Sequence, residues 1–129
     1  VWIEGSIILD PRQNSWDNAK IGIAGVQIET DAGWLMFYHG VSHPDSVYRI
    51  GAALLDRDNP QKVIARSREP LLQPERKYEK EGVVPNVVFS CGAVLRNETI
   101  FLYYGGADRV TGVATAKLQD VLSAIRKDQ

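Results

Sequence analysis

The feature that most restricts what this chain can fold into is an internal repeat. The stretch Gly25…Gly33-Trp34-Leu35-Met36-Phe37-Tyr38-His39-Gly40…Tyr48-Arg49-Ile50-Gly51-Ala52-Ala53-Leu54 has a later counterpart. That counterpart is Gly92…Thr99-Ile100-Phe101-Leu102-Tyr103-Tyr104-Gly105-Gly106…Thr111-Gly112-Val113-Ala114-Thr115-Ala116-Lys117-Leu118. Each copy reads as a strand, a hairpin, an apolar strand ending Tyr-X-Gly, a loop and a Gly-containing strand. A repeated unit of three or four antiparallel strands is the pattern of a propeller blade. A β-sandwich also yields short strands, but it does not predict the matched Tyr-X-Gly, loop, Gly series. The expected fold is therefore all-β, a partial β-propeller of about two blades plus flanking strands.

Punctuation along the chain fits this. Val26 to Glu29 alternates, Asp31-Ala32-Gly33 supplies a tight turn, and Trp34 to Tyr38 reads as a buried strand. Tyr48 to Leu55 is a third strand and Val63 to Arg66 a weaker fourth. The polar stretch from Ser67 to Gly82 reads as a long surface connection, and strands resume at Val87. Leu118, Val121, Leu122 and Ile125 fall at helical spacing and predict a short amphipathic C-terminal helix. A propeller closes a ring of at least about four blades. Two repeats leave open edges and apolar blade faces, so the chain is expected to need the rest of its ring, from further sequence or from another copy.

Composition excludes several classes. With 129 residues and a formal net charge of −1, the chain suits one domain and lacks the basic excess usual in nucleic-acid binders. No apolar run approaches the roughly 18 residues of a membrane span. The single cysteine, Cys91, rules out an internal disulfide and fits a reducing compartment; it reads as a small buried side chain. No secretory signal opens the sequence, so a bacterial cytoplasm is the expected location. Asn97-Glu98-Thr99 is read as a turn. The two histidines lack paired carboxylate spacing, so no metal site is expected.

The ordered series Lys20-Ile21-Gly22, Gly33-Trp34-Leu35, Tyr38-His39-Gly40-Val41, Tyr48-Arg49-Ile50-Gly51-Ala52 and Leu54-Leu55-Asp56 resembles the C-terminal half of glycoside hydrolase family 130. These are the β-mannoside phosphorylases and related β-mannosidases. Pro70, Pro74-Glu75, Tyr78-Glu79, Gly82, Val84 to Phe89 and Tyr104-Gly105-Gly106-Ala107-Asp108 continue the match in order. The resemblance implies a five-bladed propeller that cleaves β-mannosides with inversion, using inorganic phosphate and releasing mannose 1-phosphate. The alternatives within it are a hydrolase of the same family and a non-catalytic sugar-binding half-propeller. It places the general acid, an aspartate, and several phosphate-holding arginines in the family's N-terminal half, so no catalytic residue is assigned in this chain. No cofactor is implied beyond phosphate as co-substrate. The implied partners are a β-mannoside oligosaccharide and phosphate.

The resemblance also assigns residues, each with a plainer reading beside it. Lys20 matches a phosphate-contacting lysine; without the family it is a surface lysine. Tyr48 matches a tyrosine near phosphate and sugar, with strand packing as the alternative. Arg49 should point to the opposite sheet face. His39 stands where an imidazole can hydrogen-bond phosphate, or serve the structure alone. Asp108 matches a residue binding mannosyl hydroxyls, with a turn cap as the alternative. Phe89 matches an aromatic at the sugar wall, or belongs to the core. His43 reads as exposed. A hydrolase needs a base to activate water, and Glu79 or Glu81 is available, although solvated loop charges describe them better.

Overall fold

The computed structural model describes residues 1–126. Its first sheet is built from β1 (Lys20–Ile23), β2 (Ile28–Thr30), β3 (Gly33–Val41), β4 (Tyr48–Leu55) and β5 (Val63–Arg66). All pairings are antiparallel, in the order β1-β3-β4-β5, with β2 also pairing β3. Thus β1 and β2 form one interrupted edge beside β3. A four-residue helix, α1 (Lys77–Lys80), leads to the second sheet. That sheet is a meander of β6 (Val88–Arg96), β7 (Thr99–Gly106) and β8 (Val110–Lys117), closed by helix α2 (Leu118–Arg126). The two repeat copies are these two meanders, with β3 and β7 at their centres. The fold is mostly β with a short C-terminal helix, as expected. No helix among the described residues is long and apolar enough to cross a membrane.

Alternation explains the packing. Successive strand residues face opposite sides. Leu35 and Phe37 of β3, and Ile50, Ala52 and Leu54 of β4, turn one face of the first sheet toward Val88, Ile100, Leu102 and Tyr104 of the second. Leu118, Val121, Leu122 and Ile125 close this seam from α2, as their spacing predicted. The close approach of the two sheets depends on Gly25. Its φ is 102°, and a Cβ there would lie 2.7 Å from the Cys91 carbonyl oxygen. A backbone bond from Tyr48 N to Asn86 O (3.1 Å) joins the sheets at the far end of the seam. Asn97 and Glu98 both have positive φ and form the two-residue loop between β6 and β7, so the sequon is a hairpin turn.

The opposite face of the first sheet carries a charged network that the sequence did not reveal. Asp17 is fully buried. Its carboxylate accepts from Arg12 (2.9 Å), Arg66 (2.7 Å) and the Tyr38 hydroxyl (3.0 Å). Arg12 also reaches the Ser67 carbonyl, and Trp16 the Arg68 carbonyl. Trp16 lies against Gly40 and Gly51, where any Cβ would collide with its ring. Residues 12–17 are thereby fixed across the sheet although they form no strand.

Several expectations are corrected. Val26 and Gln27 lie outside any strand, because β2 begins at Ile28. Ser67 to Gly82 is not simply a surface connection: it contains α1, buries Ser67 and Glu79, and bridges Leu72 to Ile50. Cys91 is exposed rather than buried, because a bulge between Ser90 and Gly92 shifts the register there.

Burial alone raises the pKa of Asp17, but hydrogen bonds from Arg12 and Ser15 and the charges of Arg12 and Arg66 more than offset this and hold it below the ordinary value. Its stabilisation is therefore complete above the ordinary aspartate range and is lost as the pH falls through and below it. Asp17→Asn leaves two guanidinium groups without their common acceptor and should cost about 3 kcal/mol at neutral pH. A urea midpoint at pH 7 equal to that of the unsubstituted protein would contradict this.

Candidate functional site

The alternation that builds the seam also delivers polar side chains to its end. His39 follows Leu35 and Phe37 on the same face of β3. Tyr48 precedes Ile50 and Ala52 on the same face of β4. The register sets Lys20 opposite Val41 and Val41 opposite Tyr48, so Lys20 shares that face. The Lys20 ammonium lies 5.3 Å from the centre of the Tyr48 ring, a cation–π contact. His39 stacks on Tyr48 at 6.1 Å between centroids and meets Phe89, from the second sheet, at 4.5 Å. Arg49 points to the other face as alternation requires, where it donates to Ser42 and pairs with Asp45.

Gly22 is the seat of the histidine. It pairs with His39 across β1 and β3, and a Cβ at 22 would fall 2.5 Å from His39 Nε2. His39 Nδ1 is enclosed and has no hydrogen-bond partner among the described residues. Burial, and then the nearby Lys20 charge, push the imidazole pKa below its ordinary value, so the ring is neutral at pH 7.

Asp108 lies across a cavity of about 590 Å3 whose walls include Tyr48, Phe89, Val84 and Tyr104. It sits in a left-handed turn, with φ of 47° at Ala107 and 54° at Asp108. Its carboxylate accepts no hydrogen bond among the described residues, so it does not cap the turn. Phe89 is 41% exposed and belongs to the cavity wall rather than to the core. The structure thus links Lys20, His39, Tyr48 and Phe89 in one contiguous group, Lys20 through Tyr48 and the three rings through one another, with Asp108 on the same cavity as Tyr48 and Phe89. A cation, a neutral imidazole, a phenol and a carboxylate, gathered beside aromatic surface, suit an anion and a polyhydroxylated ligand side by side. His43 is exposed and outside the group, and no cluster of three or more metal-ligating side chains occurs among the described residues.

The residue that sequence reasoning misplaced is Glu79. It is 2% exposed, not solvated. Oε2 accepts the amides of Glu75 and Arg76, and Oε1 accepts the Tyr104 hydroxyl at 2.6 Å. It stands three residues after the N-cap residue Arg76 and closes back on that residue's amide, but an arginine at the N-cap gives no capping-box signature in the sequence. Burial pushes its pKa up, but these hydrogen bonds and the Arg76 charge hold it below the ordinary value. Glu81 is exposed and lies 4.0 Å from Lys77.

Residues 2–127 match the family model for beta-1,4-mannooligosaccharide phosphorylase. A 1,2-beta-oligomannan phosphorylase of Thermoanaerobacter sp. (strain X514) is 50% identical over 120 residues, which cover 93% of this chain and 40% of that protein. The solved beta-1,2-mannobiose phosphorylase from Listeria innocua, in complex with beta-1,2-mannobiose, superposes with a TM-score of 0.89 at 37% identity. The match covers 92% of this chain and 33% of that one. A glycosyl hydrolase from Bacteroides ovatus gives 0.78 at 31% identity, over 88% of this chain and 34% of that one. The chain therefore spans 40% or less of the length of each of these proteins.

Proton NMR of the imidazoles tests the geometry. The His39 midpoint should lie below the ordinary histidine value. It should rise in Lys20→Met, and rise further in Gly22→Ala, where the ring is driven out of its enclosure. An ordinary midpoint in all three proteins would contradict the arrangement.

Proposed function

Because the chain belongs to glycoside hydrolase family 130, we propose that it forms the C-terminal part of an inverting β-mannoside phosphorylase, residues 1–129 supplying about two blades of a five-bladed propeller. The contact of Lys20, His39 and Tyr48, beside a cavity carrying Asp108 and Phe89, is the observation that supports this most. In this reading the ammonium of Lys20 and the hydroxyl of Tyr48 hold inorganic phosphate, with the neutral His39 ring beside them. Asp108 accepts from mannosyl hydroxyls, and the Phe89 ring forms the sugar wall. A phosphate oxygen attacks the anomeric carbon, the glycosidic bond breaks, and the leaving oxygen takes a proton. The product is mannose 1-phosphate of inverted configuration. The proton donor is assigned to the remainder of the ring, as are the arginines that complete the phosphate site.

That remainder also has a physical role. Ile23 is 60% exposed, Val94 53% and Val113 50%, and they lie on sheets at opposite ends of the stack. Such faces are what neighbouring blades would cover. They are completed by further sequence of the same protein or by another copy.

Glu79, one of the two glutamates weighed as a hydrolytic base, is not free for that role. A hydrolase needs a carboxylate free to take a proton from water. Glu79 has its lone pairs engaged by two amides and a phenol, whereas the group offered to the anion is cationic and phenolic.

The full protein should release sugar phosphate from a β-mannobiose only when phosphate is supplied. Lys20→Ala should raise the KM for phosphate about tenfold or more, the value of a charge-assisted hydrogen bond, and leave the KM for mannoside nearly unchanged. Equal rates of sugar release with and without phosphate would overturn the phosphorylase reading.

A further inference from the structure

We infer that Glu79 is a positioning residue for sugar binding, acting on Asp108 from behind the cavity wall; this rests on the proposed sugar-binding role of Asp108. Asp108 stands on a turn whose backbone is left-handed at two successive non-glycine residues. Such a conformation is unfavourable for Ala107 in particular, and the position of the turn is set by the contacts around it. Two attachments set it, and both lead to Glu79.

The first attachment is backbone. The amide of Ala107 donates to the Val87 carbonyl at 2.9 Å, and the amide of Val84 donates to the Ala107 carbonyl at 3.0 Å. Val87 in turn donates its own amide to the Glu79 carbonyl at 3.0 Å. Gly82 lies so close that a Cβ would sit 2.6 Å from the Ala107 carbonyl oxygen. The turn is thus pressed against residues 82–87, which are fixed to α1.

The second attachment is the side chain. Tyr104 lies in β7, three residues before Ala107, and its hydroxyl donates to Glu79 Oε1 while meeting the Tyr78 hydroxyl at 3.0 Å. Oε2 of the same carboxylate holds the amides that open α1. One buried carboxylate therefore fastens α1 to β7, and α1 and β7 are the two elements between which the Asp108 turn is held. The Tyr104 hydroxyl is committed to Glu79 and Tyr78. The backbone attachment also meets Tyr48, whose amide donates to the Asn86 carbonyl at 3.1 Å, but the Glu79–Tyr104 side-chain bond touches none of Lys20, His39 and Tyr48, so removing that bond should weaken the sugar and largely spare the anion.

Calorimetric titration of the full protein separates these ligands. β-1,2-Mannobiose and inorganic phosphate are titrated separately into the unsubstituted protein, Glu79→Gln and Tyr104→Phe, at a temperature where each is folded. Glu79→Gln keeps the shape and the oxygen facing the amides, but turns an amide group toward Tyr104. Tyr104→Phe removes the same bond from its other end, and carries the test alone if the glutamine variant does not fold. Loss of the bond in Tyr104→Phe, or of its charge in Glu79→Gln, should weaken mannobiose about five- to tenfold, with phosphate affinity within about twofold. Unchanged mannobiose affinity, or equal weakening of both ligands, overturns the positioning role while leaving the phosphorylase reading in place. Failure of the unsubstituted protein to bind either ligand overturns that reading, and this inference with it.

Discussion

Everything in this structure depends on one apolar seam between two antiparallel meanders. Leu35, Phe37, Ile50, Ala52 and Leu54 meet Val88, Ile100 and Leu102 along it, and α2 closes one end. At the other end the same alternation continues, but the residues become His39 and Tyr48, with Lys20 across the register. A slip of register would carry a strand's whole face, core and polar residues alike, to the other side. The packing that stabilises the core therefore also fixes where the polar groups stand, and the site inherits its rigidity from the seam.

Charges in the molecule are treated in two ways. Behind the first sheet, Asp17 is saturated by Arg12, Arg66 and Tyr38; behind the cavity, Glu79 is saturated by two amides and Tyr104. These buried carboxylates hold elements together through the hydrogen bonds they accept. At the seam end, the Lys20 ammonium and the Asp108 carboxylate have no hydrogen-bond or ion-pair partner among the described residues. The contrast separates carboxylates that organise the scaffold from side chains whose charge is left unpaired at or beside the cavity.

Much of this was legible in the sequence because the signals are local. The Tyr-X-Gly repeat marked the central strands, and the spacing of Leu118, Val121, Leu122 and Ile125 marked α2. Alternation alone sent Arg49 to the face opposite Tyr48. The candidate residues came from resemblance, and the structure gathers them through strand register. What was missed depends on partners far apart in the chain. Asp17 meets Arg66 across 49 positions and Glu79 meets Tyr104 across 25, and no periodicity encodes such pairs. Cys91 was misjudged because a bulge interrupts the alternation that would have buried it.

On the proposed function, anion and sugar bind side by side at the end of the seam. The most direct measurement is a crystal structure of the full protein with inorganic phosphate and β-mannobiose. Phosphate oxygens should lie within hydrogen-bond distance of Lys20 Nζ and Tyr48 Oη, with a mannosyl ring against Phe89 and its hydroxyls on Asp108. Phosphate bound away from Lys20 and Tyr48, or a sugar that leaves Asp108 uncontacted, would contradict it.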